Sequence, residues 1–432
     1  MSVLWAVYNV LFPVGFLALL PRFLVRMARR GGYARHFAER FARYDEATLA
    51  KLREGSWVWI HAVSVGEVFV ALRFMEEYRA SHPGTRFVFS TTTSTGRRIG
   101  EEQVRDPDVL VYFPLDFPLV VKRALAVIKP RLLVLVECEL WPNLIRLAKQ
   151  RGIPVALING RISEHSYRGY RKLRLFTRPL LAQVDLLCVQ SETEKQMLRD
   201  LGADERRLHV LNSAKYDITP EGSGDHEATQ AVLRAAGIAE DDLVLLGGST
   251  WPGEEGVLLD YFLQARARFP KLRLVLVPRH AERASEVQKE IEARGLALCR
   301  RSALPAAAGQ PGSVLLVDTT GELRRFYAEA TVIFVGKSLT QHGGQNIIEP
   351  AQCGKPIVVG PHMENFPVVL RDFLGAQALI QVPDAAGLAG AVEKLLADSA
   401  TRRAYGERAL QLVREKSGAI RRTVALLDSV LS

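Results

Sequence analysis

Short apolar runs alternate with amphipathic stretches along most of the chain, starting at Trp57. Residues 57–63 (WVWIHAV) read as a buried strand, and 86–92, 109–113, 132–136, 155–158 and 186–189 repeat the pattern at βα spacing. Near-continuous apolar runs of this length suit strands covered on both faces, which is the pattern of a parallel sheet. A stretch richer in Gly, Asp, Thr and Pro, 213–240, interrupts the series and reads as a link. A second series then runs through 243–247, 272–277, 314–317, 332–335, 357–359 and 378–382, and 401–432 reads as two amphipathic helices. The predicted fold class is α/β, with two doubly wound, Rossmann-like domains (22–212 and 241–400) facing each other across a cleft.

The first segment departs from this pattern. Residues 1–21 carry no charge and read as a membrane anchor, with Arg22, Arg26, Arg29, Arg30, Arg35, Arg40 and Arg43 behind it. A secretory signal has its charges in front of the apolar run. Here they follow, so the positive-inside rule keeps the bulk of the chain in the cytoplasm. About 20 residues just span a bilayer, while Pro13 and Gly15 equally allow the segment to lie in one leaflet.

Charge extends the membrane reading. The formal net charge is +10, which favours an anionic partner. No nucleic-acid-binding signature is present, so that partner is expected to be an acidic membrane surface. In 161–178 (RISEHSYRGYRKLRLFTR), Arg168, Arg171, Lys172, Arg174 and Arg178 lie among Tyr167, Tyr170, Leu173, Leu175 and Phe176. Such a basic amphipathic helix suits a membrane surface or an anionic lipid, although a solvated basic face has the same composition. Cys138, Cys188, Cys299 and Cys353 are scattered without metal-ligand spacing and are expected to be buried thiols in a reducing compartment.

Candidate chemistry gathers at the ends of the expected strands, the edge where open α/β sheets bind ligands. In the second series, 331–335 runs into Gly336-Lys337-Ser338-Leu339 and then His342-Gly343-Gly344-Gln345-Asn346-Ile347-Ile348-Glu349, with a helix expected from about Asn346. Glycines allow close approach to a ligand, and a helix N-terminus attracts an anion. Asn346 and Glu349, three apart, would share a helical face, one toward phosphate and one toward sugar hydroxyls. A tight capped turn fits the same residues. Gly248-Ser249-Thr250, Pro278-Arg279 and Gly321-Glu322-Leu323 occupy corresponding positions after other strands. Neither a Walker A nor a GxGxxG fingerprint appears. In the first series, Glu67 and Glu139 follow strands and Lys215 stands where the chain leaves the domain. Glu67 is a candidate general base, though an acid in a first helical turn also complements the helix dipole.

These residues resemble the 3-deoxy-D-manno-octulosonic acid (Kdo) transferases of lipopolysaccharide synthesis. The resemblance rests on HAVSVGE at 61–67, TTTSTG at 91–96, ECELWPN at 137–143, NGRIS at 159–163, KYD at 215–217, GGSTWPGEE at 247–255, VPRHAER at 277–283, DTTGEL at 318–323 and VGKSL with HGGQNIIEPA at 335–351. It implies a GT-B glycosyltransferase moving Kdo from CMP-Kdo to a lipid A precursor (lipid IVA), with inversion, without metal or cofactor, on the cytoplasmic face of the inner membrane. By motif, Glu67 matches the family's catalytic base, and Glu139 and Lys215 match its transition-state stabilisers. Pro278, Arg279, Gly321, Glu322, Leu323, Asn346, Ile347, Ile348 and Glu349 match its CMP-binding positions. Departures fall at Gln345 and Trp251, where the family commonly has His, and at Leu211-Asn212, where a Gly commonly precedes the turn. A different nucleotide-sugar transferase acting on a membrane lipid, or a membrane-tethered nucleotide-binding adaptor without turnover, shares the same physical features.

Overall fold

The computed structural model describes residues 2–30, 36–218, 226–306, 310 and 312–431, with the backbone alone for 2, 3, 19–30 and 431. The chain divides into two compact units, Met1–Ile218 with Ser417–Ser432, and Thr219–Lys416. The expected link 213–240 holds a 3-10 turn at Ala214–Asp217 in the first unit and the helix His226–Ala235 in the second, where Leu233 is buried. The final helix, Ala419–Leu431, returns to the first unit, where Ala419, Ile420, Val424 and Leu427 join its core. Asp217 accepts the N–H groups of Gly418 and Ile420 and so caps that helix.

In the first unit, strands β1 (Trp57–Ala62), β2 (Arg86–Thr91), β3 (Val109–Tyr112), β4 (Pro130–Val136), β5 (Val155–Gly160), β6 (Leu186–Val189) and β7 (Leu208–Val210) form one sheet. Its order is β3-β2-β1-β4-β5-β6-β7, with parallel pairing throughout. The second unit holds β8 (Leu243–Thr250), β9 (Leu272–Pro278), β10 (Leu298–Arg300), β11 (Val314–Leu316), β12 (Val332–Val335), β13 (Ile357–Val359) and β14 (Ile380–Gln381). Its order is β10-β11-β9-β8-β12-β13-β14, again parallel. Both sheets are doubly wound. The strand order reverses between β1 and β4 in one and between β8 and β12 in the other, and a crevice opens outside the carboxyl ends at such a switch point.

The N-terminal helix, Ser2–Arg30, runs unbroken through Pro13. No helix among the described residues is long and apolar enough to cross a membrane. Its inner face is docked on the first unit. Trp5 is buried as a member of the first unit's core, and its ring meets Phe176 edge-on. The Tyr8 hydroxyl donates to Asp116 at 2.9 Å, and Phe12 and Phe16 pack on Phe117. The basic flank is not uniform. Arg40 is buried, donating to the Thr92 carbonyl and lying over Tyr112, while Arg35 and the side chains of Arg22, Arg26, Arg29 and Arg30 lie outside the described residues. The expected single basic helix over 161–178 is two, Glu164–Lys172 and Arg174–Leu181, which break at Leu173. Cys138 is exposed and Cys353 half-buried, unlike the buried Cys188 and Cys299.

Candidate active site

The switch point of the first sheet gathers acidic groups. After β1, Ser64 caps the helix Val65–Ser81 in a reciprocal capping box with Glu67. Ser64 Oγ accepts the Glu67 N–H, while the Glu67 carboxylate accepts the N–H groups of Val63 at 2.8 Å and Ser64 at 3.2 Å. Glu67 is 5% exposed, and the bonds to its own helix entry fix its side chain. Capping and a chemical role therefore fall on one residue.

After β4 the chain bends sharply, with Glu137 at a φ of 61°. Burial chiefly, then the Glu67 charge, pushes the Glu137 carboxyl up, against Lys215 and Arg161. Glu139 is pushed up to about 7 by burial and by Glu67, despite a 2.7 Å bond from the Trp141 indole. Burial holds the Lys215 ammonium below its ordinary range, with Glu137 and Glu67 opposing that shift. The structure thus brings Glu67, Glu139 and Lys215 into one electrostatic cluster. Asn159, at φ 51°, braces it by donating to Glu137 at 3.4 Å and accepting the Ala214 N–H at 2.9 Å.

Sequence reasoning did not single out Glu137, Arg161 or His61 as site residues. His61 is fully buried, stacked on Phe113 and held neutral by burial, which pushes it down to about 3. Its Nδ1 lies 3.0 Å from the Ser90 carbonyl, and its Nε2, without a hydrogen-bond partner, lies 3.8 Å from Glu139 Oε2. A Glu139 carboxyl that titrates near neutrality can turn its proton toward this acceptor. Although Cys138 is exposed as a residue, partial desolvation of its thiol and then the charges of Glu139, Glu137 and Glu67 push that thiol up, so it is a poor nucleophile.

In the second sheet, Pro278 and Arg279 end β9, beside β11, whose end leads to Gly321, Glu322 and Leu323. Arg279 is exposed, and its backbone N–H donates to Thr250. Asn346 donates to Glu349 Oε1 at 2.9 Å and accepts the Ile348 N–H, so the expected pair on one face is a bonded pair. Burial pushes the Glu349 carboxyl up, while Arg279 and Arg324 oppose the shift. Tyr327, buried between Glu349 and Arg279 in electrostatic terms, has its hydroxyl pushed far up by burial. Ile347 and Ile348 are core side chains and offer a ligand only backbone groups. Glu322 pairs with Arg301 at 3.0 Å.

The glycine-rich loop differs from the expected phosphate cradle. The helix behind it is only Ile348–Gln352, with Asn346 outside it. The N–H groups of its two adjacent glycines are already engaged, since Gly343 donates to Glu364 and Gly344 to the Lys337 carbonyl. Glu254, which sequence reasoning passed over, accepts the N–H groups of Lys337, Ser338, Leu339 and Trp251 at 2.8–3.0 Å. This buried carboxylate ties the β8 and β12 loops together. At Gly336 a Cβ would meet the Ser249 carbonyl at 2.4 Å, and at Gly248 the Tyr327 ring at 2.8 Å. Gly248, Ser249 and Thr250 are buried, so packing accounts for this turn's small residues. Lys337 lies 4.7 Å over the Trp251 ring.

A family profile described as 3-deoxy-D-manno-octulosonic-acid transferase (kdotransferase) matches residues 35–218, and one described as glycosyl transferases group 1 matches 304–412. The 3-deoxy-D-manno-octulosonic acid transferase of Bordetella pertussis is 36% identical over 430 residues, 96% of this chain and 97% of the relative. The enzyme of that name from Haemophilus influenzae is 31% identical over 402 residues, 92% of each. Among solved structures, UDP-GlcNAc 2-epimerase from Neisseria meningitidis bound to UDP-GlcNAc aligns with 86% of this chain and 100% of its own at a TM-score of 0.58 and 14% identity, a likeness of fold. Two parallel, doubly wound units and that likeness make the fold GT-B-like. Near-full-length identity to both transferases shows that the chain belongs to the 3-deoxy-D-manno-octulosonic acid transferase family of glycosyltransferases.

Proposed function

We propose that this Kdo transferase uses CMP-Kdo as donor and a lipid A precursor, lipid IVA, as acceptor, by direct displacement with inversion and without a metal. The acidic cluster around Glu67 carries the reading. Glu67 takes the proton from the acceptor hydroxyl as its oxygen bonds to the anomeric carbon, and the bond from that carbon to the CMP phosphate breaks with its electron pair leaving on CMP. Lys215 and Arg279 offset the phosphate charge, and Glu139 supports the developing positive charge on the sugar. The donor is held on the second unit by Pro278-Arg279, Gly321-Glu322-Leu323 and Asn346–Glu349. Glu349, whose Oε1 is taken by Asn346, accepts sugar hydroxyls through Oε2 in this reading. A second reading has one observation in its favour. Glu139, raised to about 7, is matched to base catalysis at neutral pH and exchanges roles with Glu67.

The membrane reading is also ours. Val7, Val10, Leu11, Val14 and Leu17 are exposed along one stripe of the first helix, and Leu119, Leu173 and Leu175 are exposed near its docking partners Phe117 and Phe176. Exposed Arg168, Arg171, Lys172, Arg174 and Arg178 accompany them. A helix with a docked aromatic face and an apolar outer face suits lying in one leaflet of the inner membrane, on its cytoplasmic side.

Incubation with CMP-Kdo and lipid IVA in the presence of a chelator, followed by mass spectrometry, tests the reading. Addition of Kdo mass supports it. Transfer only from a UDP-sugar, or only with added metal, overturns the donor or the metal-free mechanism.

A further inference from the structure

Beside the first helix lies a pocket of about 1170 Å³ whose lining shares no residue with the acidic cluster. Trp5 forms part of its wall, and six cations line it against one acid, Asp204, which is bonded to Arg206. Lys149 and Arg199 face carboxylates, Asp185 and Glu205. Arg146, Arg174 and Arg178 have no carboxylate within ion-pair distance among the described residues, and Arg207 donates only to the carbonyls of Ala182 and Val184. Arg146 lies 5.2 Å over the Trp5 ring with its Nε buried and without a hydrogen-bond partner. The Arg178 stem lies over Gly202, where a Cβ would approach it to 2.6 Å, so a glycine makes room for this arginine.

Arg146 and Arg207 meet only neutral acceptors, the Asn143 side chain and two carbonyls. Guanidiniums without a carboxylate in a concave site want an anion with several acceptor oxygens, since arginine matches phosphate geometry. The wall supplies the source of that phosphate. Arg174 stands next to exposed Leu175, and Trp5 belongs to the helix whose outer stripe is exposed and apolar. We propose that the pocket seats the phosphate headgroup of an anionic phospholipid whose acyl chains lie along that apolar face. The proposal rests on the membrane-surface reading above and adds a stoichiometric lipid site to it.

Calorimetry on the full chain with dihexanoyl-phosphatidylglycerol below its micellar concentration tests the site without a membrane. Saturable 1:1 binding, absent for dihexanoyl-phosphatidylcholine, is expected. Arg146→Gln with Arg178→Gln should weaken it about 25-fold, at roughly fivefold for each cation removed. Arg174→Gln, on an exposed side chain, gives a second variant should the pair fail to fold. Unsaturable binding, or variants that bind like wild type, would overturn the site. Equal binding of glycerol 3-phosphate or inorganic phosphate would assign the pocket to soluble phosphate instead. Vesicle flotation of the Arg146→Gln variant separates the two ideas, since Arg146 lines the pocket but is not part of the exposed basic face, and its loss leaves binding through the apolar stripe and that face.

Discussion

Trp141 donates its indole N–H to Glu139 across 2.7 Å, yet the carboxyl it holds is still pushed up to about 7. One hydrogen bond does not offset burial together with the charge of Glu67. In the unfolded chain this carboxyl returns to 4.5. The folded state therefore binds the proton more tightly, and the stability this confers is fully present below about 4.5 and lost as pH rises through 7. Glu139→Gln should melt near wild type at pH 4.5 and above wild type at pH 8. A melting difference that stays constant between those pH values would refute the raised carboxyl.

Glu254 holds four backbone N–H groups of two loops. Glu254→Ala leaves them without their buried acceptor, and hydrogen bonds to a charged group are worth ~1.5–3 kcal/mol. Denaturant unfolding should show the second unit destabilised by at least ~2 kcal/mol, with CMP affinity reduced as the loops loosen. Unchanged unfolding would mean that other contacts fix these loops.

Arg279→Ala and Glu349→Ala should each weaken CMP binding roughly tenfold or more, from loss of a charge-assisted contact of ~1.5–3 kcal/mol. Arg279 is exposed, so its variant should keep the wild-type melting temperature. Calorimetry finding normal CMP affinity in both would remove the nucleotide from this edge.

Trp5 ties the first helix to the body of the protein. Trp5→Ala should cost ~3–5 kcal/mol of first-unit stability. Deleting residues 2–21 should accordingly destabilise the protein as well as weaken membrane binding. A truncated protein that unfolds like wild type would show that the helix is a detachable anchor.

Twelve of the fourteen described strands were legible as apolar runs, because strands buried on both faces leave little else to read. The two missed, β7 and β10, are three-residue edge strands with His209 and Arg300 in them. An edge strand has one neighbour and needs little apolar sequence. Motifs gave Glu67, Glu139 and Lys215, but not His61, whose setting depends on a register that pairs it with Ser90. Glu254 was equally hidden, since beyond the nearby Trp251 N–H its other partners begin 83 residues later. The glycines at 248 and 336 suggested ligand contact, whereas Tyr327 and the Ser249 carbonyl take the space. Sequence marks where small residues are required, not what fills the room they leave.

Single-turnover Kdo transfer by Glu67→Gln, measured beside its CMP affinity, tests the account most directly. Glutamine keeps one acceptor oxygen, enough for the shorter Val63 bond, and its NH2 replaces the oxygen that accepts from Ser64. The helix entry should lose one hydrogen bond, worth roughly 0.5–1.5 kcal/mol, and melting should fall only modestly. General-base catalysis contributes about 10²–10⁴ in rate. Transfer should fall by that range while CMP, carried on the other unit, binds as before. Transfer at a near-normal rate, with Glu139→Gln inactive in the same assay, would contradict the assignment and make Glu67 a helix cap alone.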